Sequence, residues 1–362
     1  MIYDRTKEME AWVDLIPEEM QKNYNRFKRV SEVLTKDPEP QVGQTPKEVI
    51  WTKNKAKLYR YQPAKAKTNK VPLLMVYALI NKPYVLDLTP GKSLIEYLTD
   101  QGHDVYLLDW GTPGYEDRHM KLDDYVLDYI PRAVQKVLRT SGADEISVLG
   151  YCMGGTMTSI FAALHPELPI RNLIFLTSPF DFADLGLYTN WLDERYFNLD
   201  KMVDTLGIVP PETIDFGNKL LKPIANYVGP FVSLADHADN EEFIKGWTLL
   251  QKWVHDGIPF PGEAYRQWIG EFYQKNKLIN DELVIRGHHV RLGSIKANIL
   301  NIAAQHDHIA TPKQVEALMD KVSSRDKTYH VMPAGHVSLL VGGGAVKRTY
   351  PTIENWLTEH SK

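Results

Sequence analysis

One cysteine stands in the 362-residue chain, so there is no internal disulfide and no multi-cysteine metal centre to read from it. An excess of either charge is also missing: 42 Lys and Arg against 46 Asp and Glu leave a formal net charge of -4. A near-neutral chain lacks the basic surface on which general nucleic-acid binding draws. No apolar run approaches the ~18 residues of a membrane helix, and the run Val71 to Ile80 has the length of a strand. The first residues, Met1-Ile-Tyr-Asp-Arg-Thr-Lys-Glu, lack the apolar core of a signal peptide, which predicts a cytoplasmic protein. What is present is ordinary for a globular enzyme: 43% hydrophobic and 24% charged residues, with no repeat and no low-complexity stretch.

The hydrophobic pattern divides the chain into four parts. Residues 1–45 form a helical segment, with Met9, Trp12, Val13 and Ile16 at helical spacing, before Pro38, Pro40 and Pro46 break regular structure. Residues 46–180 carry the first half of an α/β core. It opens with a hairpin around Lys53-Asn54-Lys55. Strands then alternate with helices: Val71 to Val76, Asp104 to Leu108, Ile146 to Leu149 and Leu173 to Leu176. A helix capped by Asp123 or Asp124 is expected to run towards Arg139, with Pro131 awkward inside it. Residues 181–294 break the alternation and are rich in aromatics, including Trp191, Trp247, Trp253 and Trp268, as expected of a cap inserted over a site. Residues 295–362 resume it with strands Ile299 to Ala303 and Lys327 to Met332. The predicted fold is α/β: a mainly parallel sheet, helices on both faces, and a helical cap.

The cysteine sits in Gly150-Tyr151-Cys152-Met153-Gly154-Gly155, between a predicted strand and a predicted helix. A sharp strand-to-helix turn lifts its central side chain off the sheet, and glycines two positions away on either side relieve the crowding. At average glycine usage that pairing arises by chance about once in two hundred. A helix N-terminus also favours negative charge, which suits a thiolate nucleophile. The competing role is a buried structural cysteine.

In this architecture an acid and then a histidine come after the nucleophile, each just past a later strand. Asp307 lies past Ile299 to Ala303 and His336 past the final strand. The alternative for Asp307 is capping of the helix that starts near Pro312; the alternative for His336 is an ordinary loop histidine, one of 12. His308 is the rival base, although a side chain adjacent to the acid is expected to point elsewhere. The oxyanion hole calls for the amide of the residue after the nucleophile, Met153, and one from the loop Tyr77 to Pro83, with Ile80 or Leu79 as donor. His288-His289 and His255-Asp256 lack the spacing of a metal site, and Gly342-Gly-Gly344 lacks the Lys-Ser/Thr of a phosphate loop.

Together these motifs resemble the polyhydroxyalkanoate synthases, α/β-hydrolase relatives with cysteine in place of the lipase-box serine. The resemblance rests on Gly150-Tyr-Cys-Met-Gly154, Tyr77-Ala-Leu-Ile-Asn-Lys-Pro-Tyr-Val-Leu-Asp-Leu, Val105-Tyr-Leu-Leu-Asp-Trp-Gly, Ile258-Pro-Phe-Pro, Tyr265-Arg-Gln-Trp268, Asp307-His-Ile and Gly335-His-Val, from about residue 45 to 345. The short N-terminal part is similar to that of the two-subunit enzymes. Gln44-Thr-Pro-Lys-Glu-Val-Ile-Trp is most similar to the class IV type with its R-type partner, and class III with its E-type partner is close behind.

The resemblance implies that Cys152 takes the acyl group of a (3R)-hydroxyacyl-coenzyme A, short-chain 3-hydroxybutyryl by default, and that a polyester grows by repetition. By the same resemblance His336 deprotonates the thiol, Asp307 supports it, and His308 lines the coenzyme A path. Coenzyme A is a leaving group and no cofactor is implied. A small partner subunit, the polymer granule surface and a homo-oligomer are the implied associations. The alternative activity is a cysteine esterase or lactonase of the dienelactone-hydrolase sort, which shares the Gly-x-Cys-x-Gly turn in a much shorter chain. A non-catalytic granule-coat protein on the same fold is the other alternative.

Overall fold

In the computed structural model, residues 17–35, 40–63, 65 and 69–361 are described. The N-terminal positions Met9, Trp12, Val13 and Ile16 and the breaker Pro38 lie outside them. The chain divides into two compact units: Val42–Leu221 with Asp256–Lys362, and Met1–Gln41 with Lys222–His255.

The larger unit is built on an eight-stranded sheet. Its strands are β1 (Glu48–Lys53), β2 (Ala56–Tyr61), β3 (Leu73–Val76), β4 (Val105–Asp109), β5 (Ile146–Tyr151), β6 (Ile170–Leu176), β7 (Asn298–Ala304) and β8 (Lys327–Met332), in the spatial order β1-β2-β4-β3-β5-β6-β7-β8. β1 and β2 form an antiparallel hairpin that turns at Asn54, where φ is 51°. β2 meets β4 antiparallel, and from β4 to β8 every pairing is parallel. All residues of β3 and β5 are buried, which is why β3 reads as an unbroken apolar run and β5 as one interrupted only by Ser147 and Gly150. The helix Met153–Leu164 is buried along nearly its whole length. Because the central strands are parallel, the loops after β3, β5, β6, β7 and β8 leave the same edge of the sheet, where open α/β sheets gather ligands.

The helix expected from Asp123 to Arg139 is interrupted. A short α-turn Leu122–Asp124 leads into a π-helical turn Tyr125–Tyr129, and regular α-helix resumes over Ile130–Ser141. Pro131 is the second residue of that resumed stretch, so its missing N–H falls where the hydrogen-bond spacing changes. Neither aspartate is the N-cap, which is Lys121. The Asp124 carboxylate accepts from the Lys121 amide at 2.8 Å, and Asp123 accepts from Gln267 at 2.6 Å.

The stretch expected as one cap, 181–294, is shared between the two units. Its two ends belong with the sheet. There Phe182 stacks on Phe272 at 5.5 Å and meets Trp268 edge-on at 6.2 Å, while Tyr273 packs against Phe182 and Tyr188 at 5.2 and 5.7 Å. Asn276 ties these ends together, accepting from the Phe182 amide at 2.8 Å and donating to Asp181 at 2.7 Å.

The middle of the stretch, Lys222–His255, belongs to the smaller unit with the helix Glu18–Thr35. Arg29 of that helix pairs with Glu241, at the start of the helix Glu241–His255. Trp247 donates to the Pro230 carbonyl at 2.9 Å, and Leu234, Ile244, Leu249 and Trp253 are buried. Ile224, Tyr227, Val228, Phe231 and Val232 recur at helical spacing and are exposed.

Candidate active site

Cys152 occupies the turn between β5 and the helix Met153–Leu164, with φ 51° and ψ −125°. This conformation costs a non-glycine residue about 1–3 kcal/mol and persists only where its surroundings impose it. Here the Cys152 amide donates to the Leu176 carbonyl at 2.9 Å, and its carbonyl accepts from the Gly155 amide at 2.9 Å. The flanking glycines are required by close approach. A Cβ on Gly150 would lie 2.3 Å from the Gly155 Cα, and one on Gly154 would lie 2.2 Å from the Val76 carbonyl oxygen. Cys152 itself is 7% exposed, at the N-terminus of a helix.

Asp307 comes after β7 and His336 after β8. His336 Nδ1 lies 2.6 Å from Asp307 Oδ2. The other carboxylate oxygen, Oδ1, accepts from the amides of Ile309 and Ala310 at 2.8 and 3.0 Å. The capping role that competed for Asp307 is taken by Thr311. Its hydroxyl accepts from the Gln314 amide at 3.4 Å, and Gln314 Oε1 accepts from the Thr311 amide at 2.7 Å.

The Cys152 thiol acts on the same imidazole, so one ring faces both acid and thiol. Burial by itself pushes that imidazole down. The negative charge of Asp307, the interaction with Cys152 and the hydrogen bond to Asp307 outweigh burial and hold it well above the usual 6.5.

Residues 71–343 match the α/β hydrolase fold family, and residues 29–98 match the N-terminal region of poly-beta-hydroxybutyrate polymerase (PhaC). A poly(3-hydroxyalkanoate) polymerase subunit PhaC of Haloferax mediterranei is 39% identical over 93% of this chain and 67% of its own length. The PhaC subunit of Allochromatium vinosum is 38% identical over 88% of this chain and 89% of its own. The chain belongs to the poly(3-hydroxyalkanoate) polymerase family. Among solved structures, a monoacylglycerol lipase of Paleococcus ferrophilus (TM-score 0.51, 16% identity, 84% of this chain and 99% of that one) shares its fold. So does a thermophilic esterase of Thermogutta terrifontis (TM-score 0.53, 15% identity, 88% and 100%).

The other residues singled out in this PhaC-family sequence have definite places. Met153 is buried and is the first residue of the helix, where amides have no intrahelical partner. Ile80 lies in the loop after β3, half-buried, its carbonyl accepting from the Ile258 amide at 2.8 Å. His308 is half-buried beside Asp307. The Asp256 carboxylate accepts from the Tyr84 hydroxyl, and His288-His289 forms a two-residue ladder with Val284-Ile285.

The contacts of three tyrosines of this site are not legible in the sequence. Tyr151 donates from its hydroxyl to the His336 carbonyl at 3.2 Å, and its ring centre lies 5.4 Å from the imidazole. Tyr77 stacks on Tyr151 at 5.4 Å with the planes 7° apart, and the Tyr77 carbonyl accepts from the Trp110 indole at 2.9 Å. Tyr273 belongs to the π-helical turn Trp268–Gln274. Burial, and the negative charge of Cys152 nearby, hold its phenol far above the usual 10.0.

Proposed function

We propose that the chain polymerises (3R)-hydroxyacyl-coenzyme A, with 3-hydroxybutyryl-coenzyme A as its substrate, into polyhydroxyalkanoate through a covalent Cys152 acyl-enzyme. The observation that carries this reading is the single imidazole of His336, held by Asp307 at 2.6 Å and acted on by Cys152, in a PhaC-family chain.

In the first half-reaction His336 takes the thiol proton and Cys152 Sγ attacks the thioester carbonyl. The tetrahedral oxyanion is received by the Met153 and Ile80 amides. Its collapse breaks the bond to the coenzyme A sulfur, which leaves with the proton from His336. One thioester replaces another, so the step is nearly isoenergetic, whereas an oxygen ester would be a deeper intermediate. In the second half-reaction His336 removes a proton from a 3-hydroxyl, and that oxygen attacks the acyl group on Cys152. The polyester is one unit longer, and the proton returns to the released sulfur. Asp307 supports the imidazolium in both steps, and His308 lines the coenzyme A path. No metal or redox group enters this scheme.

The reading extends to the surroundings of the enzyme. Its partner is a small subunit of the R type, or of the E type. It works as a homo-oligomer in the cytoplasm, at the surface of the polymer granule. Among the described residues no helix is long and apolar enough to cross a membrane.

The test is incubation of the purified chain, with and without the partner subunit, in 3-hydroxybutyryl-coenzyme A, following free coenzyme A thiol and insoluble polyester together. Thiol and polymer rising in step, and both absent in Cys152→Ala, is the expected result. Thiol release with free hydroxy acid instead would make the protein a hydrolase. Full activity alone, unchanged by the partner, would retire the two-subunit reading and leave the Cys152 chemistry standing.

A further inference from the structure

The loop after β3, which carries the Ile80 amide, is bound to a segment remote in sequence. Ile258 donates from its amide to the Ile80 carbonyl at 2.8 Å. Asn81 and Gly257 form an antiparallel bridge. Three residues further along the loop, the Tyr84 hydroxyl donates to Asp256 Oδ2 at 2.8 Å. Asp256, Gly257 and Ile258 thus form a three-residue brace laid against Ile80, Asn81 and Tyr84.

The brace has little room to shift. A Cβ on Gly257 would lie 2.8 Å from the Pro211 Cβ. On the loop side Pro83 sits in the first turn of the 3-10 helix Pro83–Leu86, where its fixed φ limits the backbone. Asp256 is also the residue at which the chain re-enters the sheet-bearing unit after His255.

We propose that Tyr84 and Asp256 are a positioning pair that sets the Ile80 amide for the oxyanion, so that the loop's register is fixed from Asp256–Ile258 and not by the sheet alone. This rests on the acyl-transfer reading, and the pair touches neither thiol nor acyl group. An oxyanion donor works only when held where charge develops, so a displaced loop costs transition-state stabilisation while leaving the nucleophile intact. The bond between phenol and carboxylate also lies outside the path of any proton in the reaction. Its loss therefore lowers kcat with little change in KM.

The deciding experiment compares two reactions of the same sulfur in the full chain with its partner. Acylation of Cys152 by 3-hydroxybutyryl-coenzyme A passes through an oxyanion; alkylation by iodoacetamide displaces iodide and forms none. In Tyr84→Phe, which keeps the ring and deletes the hydroxyl, acylation is expected to fall about tenfold, against the ~10²–10³-fold cost of deleting a donor outright. Alkylation stays at the wild-type rate. Asp256→Asn retains an acceptor oxygen and falls less. Equal acylation in Tyr84→Phe and wild type overturns the positioning role. A parallel loss of alkylation also overturns it, since the bond would then serve the site as a whole. A wild-type chain that alkylates but never acylates would sink the polymerase reading itself, a result distinct from either.

Discussion

His336 meets Asp307 through one carboxylate oxygen at 2.6 Å, while the other oxygen is held by two loop amides, those of Ile309 and Ala310. The carboxylate is therefore held independently of the imidazole and cannot rotate without giving up both amide bonds. With Nδ1 committed to the acid, the other ring nitrogen is left for the thiol. This is the arrangement in which an acid orients a base without itself taking the proton.

Asp307→Asn separates the two halves of the proposed reaction. A thiol gives up its proton far more readily than an alcohol, so acylation of Cys152 leans less on the imidazolium's support than removal of a 3-hydroxyl proton does. Acylation is expected to slow about tenfold or less, and elongation by the ~10²–10⁴-fold typical of lost acid–base assistance. The variant then accumulates Cys152 carrying one or a few acyl units. Mass analysis of the Cys152 peptide after rapid mixing checks this. An equal loss in both steps would mean that the thiol leans on the supported imidazole as heavily as the 3-hydroxyl does.

Replacing the base gives a different pattern. His336→Gln removes the group that takes the thiol proton, and acylation is expected to fall by roughly 10²–10⁴-fold. His308→Gln, which alters the expected coenzyme A path, raises KM several-fold with a smaller effect on kcat. Steady-state kinetics on the two variants checks the ranking, and the reverse order would exchange their roles.

The raised pKa of His336 has a consequence for stability. The folded protein binds this proton more tightly than the unfolded chain, whose histidine titrates near 6.5. The stabilisation is complete below that value and is lost as pH rises through the higher folded value. Wild type should therefore exceed His336→Gln in melting temperature by most near pH 6, with the difference shrinking steadily into the alkaline range. Melting curves of both proteins between pH 6 and 9.5 test the sign. A gap that widens with pH would show that burial, not its charged and hydrogen-bonding neighbours, governs this imidazole.

Much of this was open to sequence reading because apolar runs and strand ends are local signals. Residues 146–149 announce a buried strand, and the residues directly after it must leave the sheet edge, which is how Cys152, Asp307 and His336 become candidates. Contacts between elements are not local. Tyr77 and Tyr151 stack because Val76 pairs with Gly150 in the parallel register of β3 and β5, and no periodicity in either strand states which strand is its neighbour. The bond from Tyr84 to Asp256 spans 172 residues for the same reason. The π-helical turn at Tyr125–Tyr129 was hidden too, since its residues keep an ordinary helical pattern. Division of 181–294 between two units depends on which helix packs against Glu18–Thr35, a tertiary choice that aromatic content alone does not reveal.

The glycines of the turn allow a test of the fold independent of catalysis. Gly154 leaves no room for a methyl group, because a Cβ there would lie 2.2 Å from the Val76 carbonyl oxygen and 2.8 Å from the Tyr77 carbonyl carbon. Both obstacles are backbone, so relief requires the helix Met153–Leu164 to move away from β3. Gly154→Ala is expected to cost about 1–3 kcal/mol, as overpacking a tight core does, or more if the turn itself opens. Gly343 offers the contrast: nothing lies within 4 Å of an added Cβ. Gly343→Ala should change stability by no more than about 0.5 kcal/mol. Denaturant unfolding of the two variants measures both. If Gly154→Ala unfolded at the wild-type denaturant concentration, the close approach of the turn to β3 would have to be wrong, and with it the physical reason for glycine at that position.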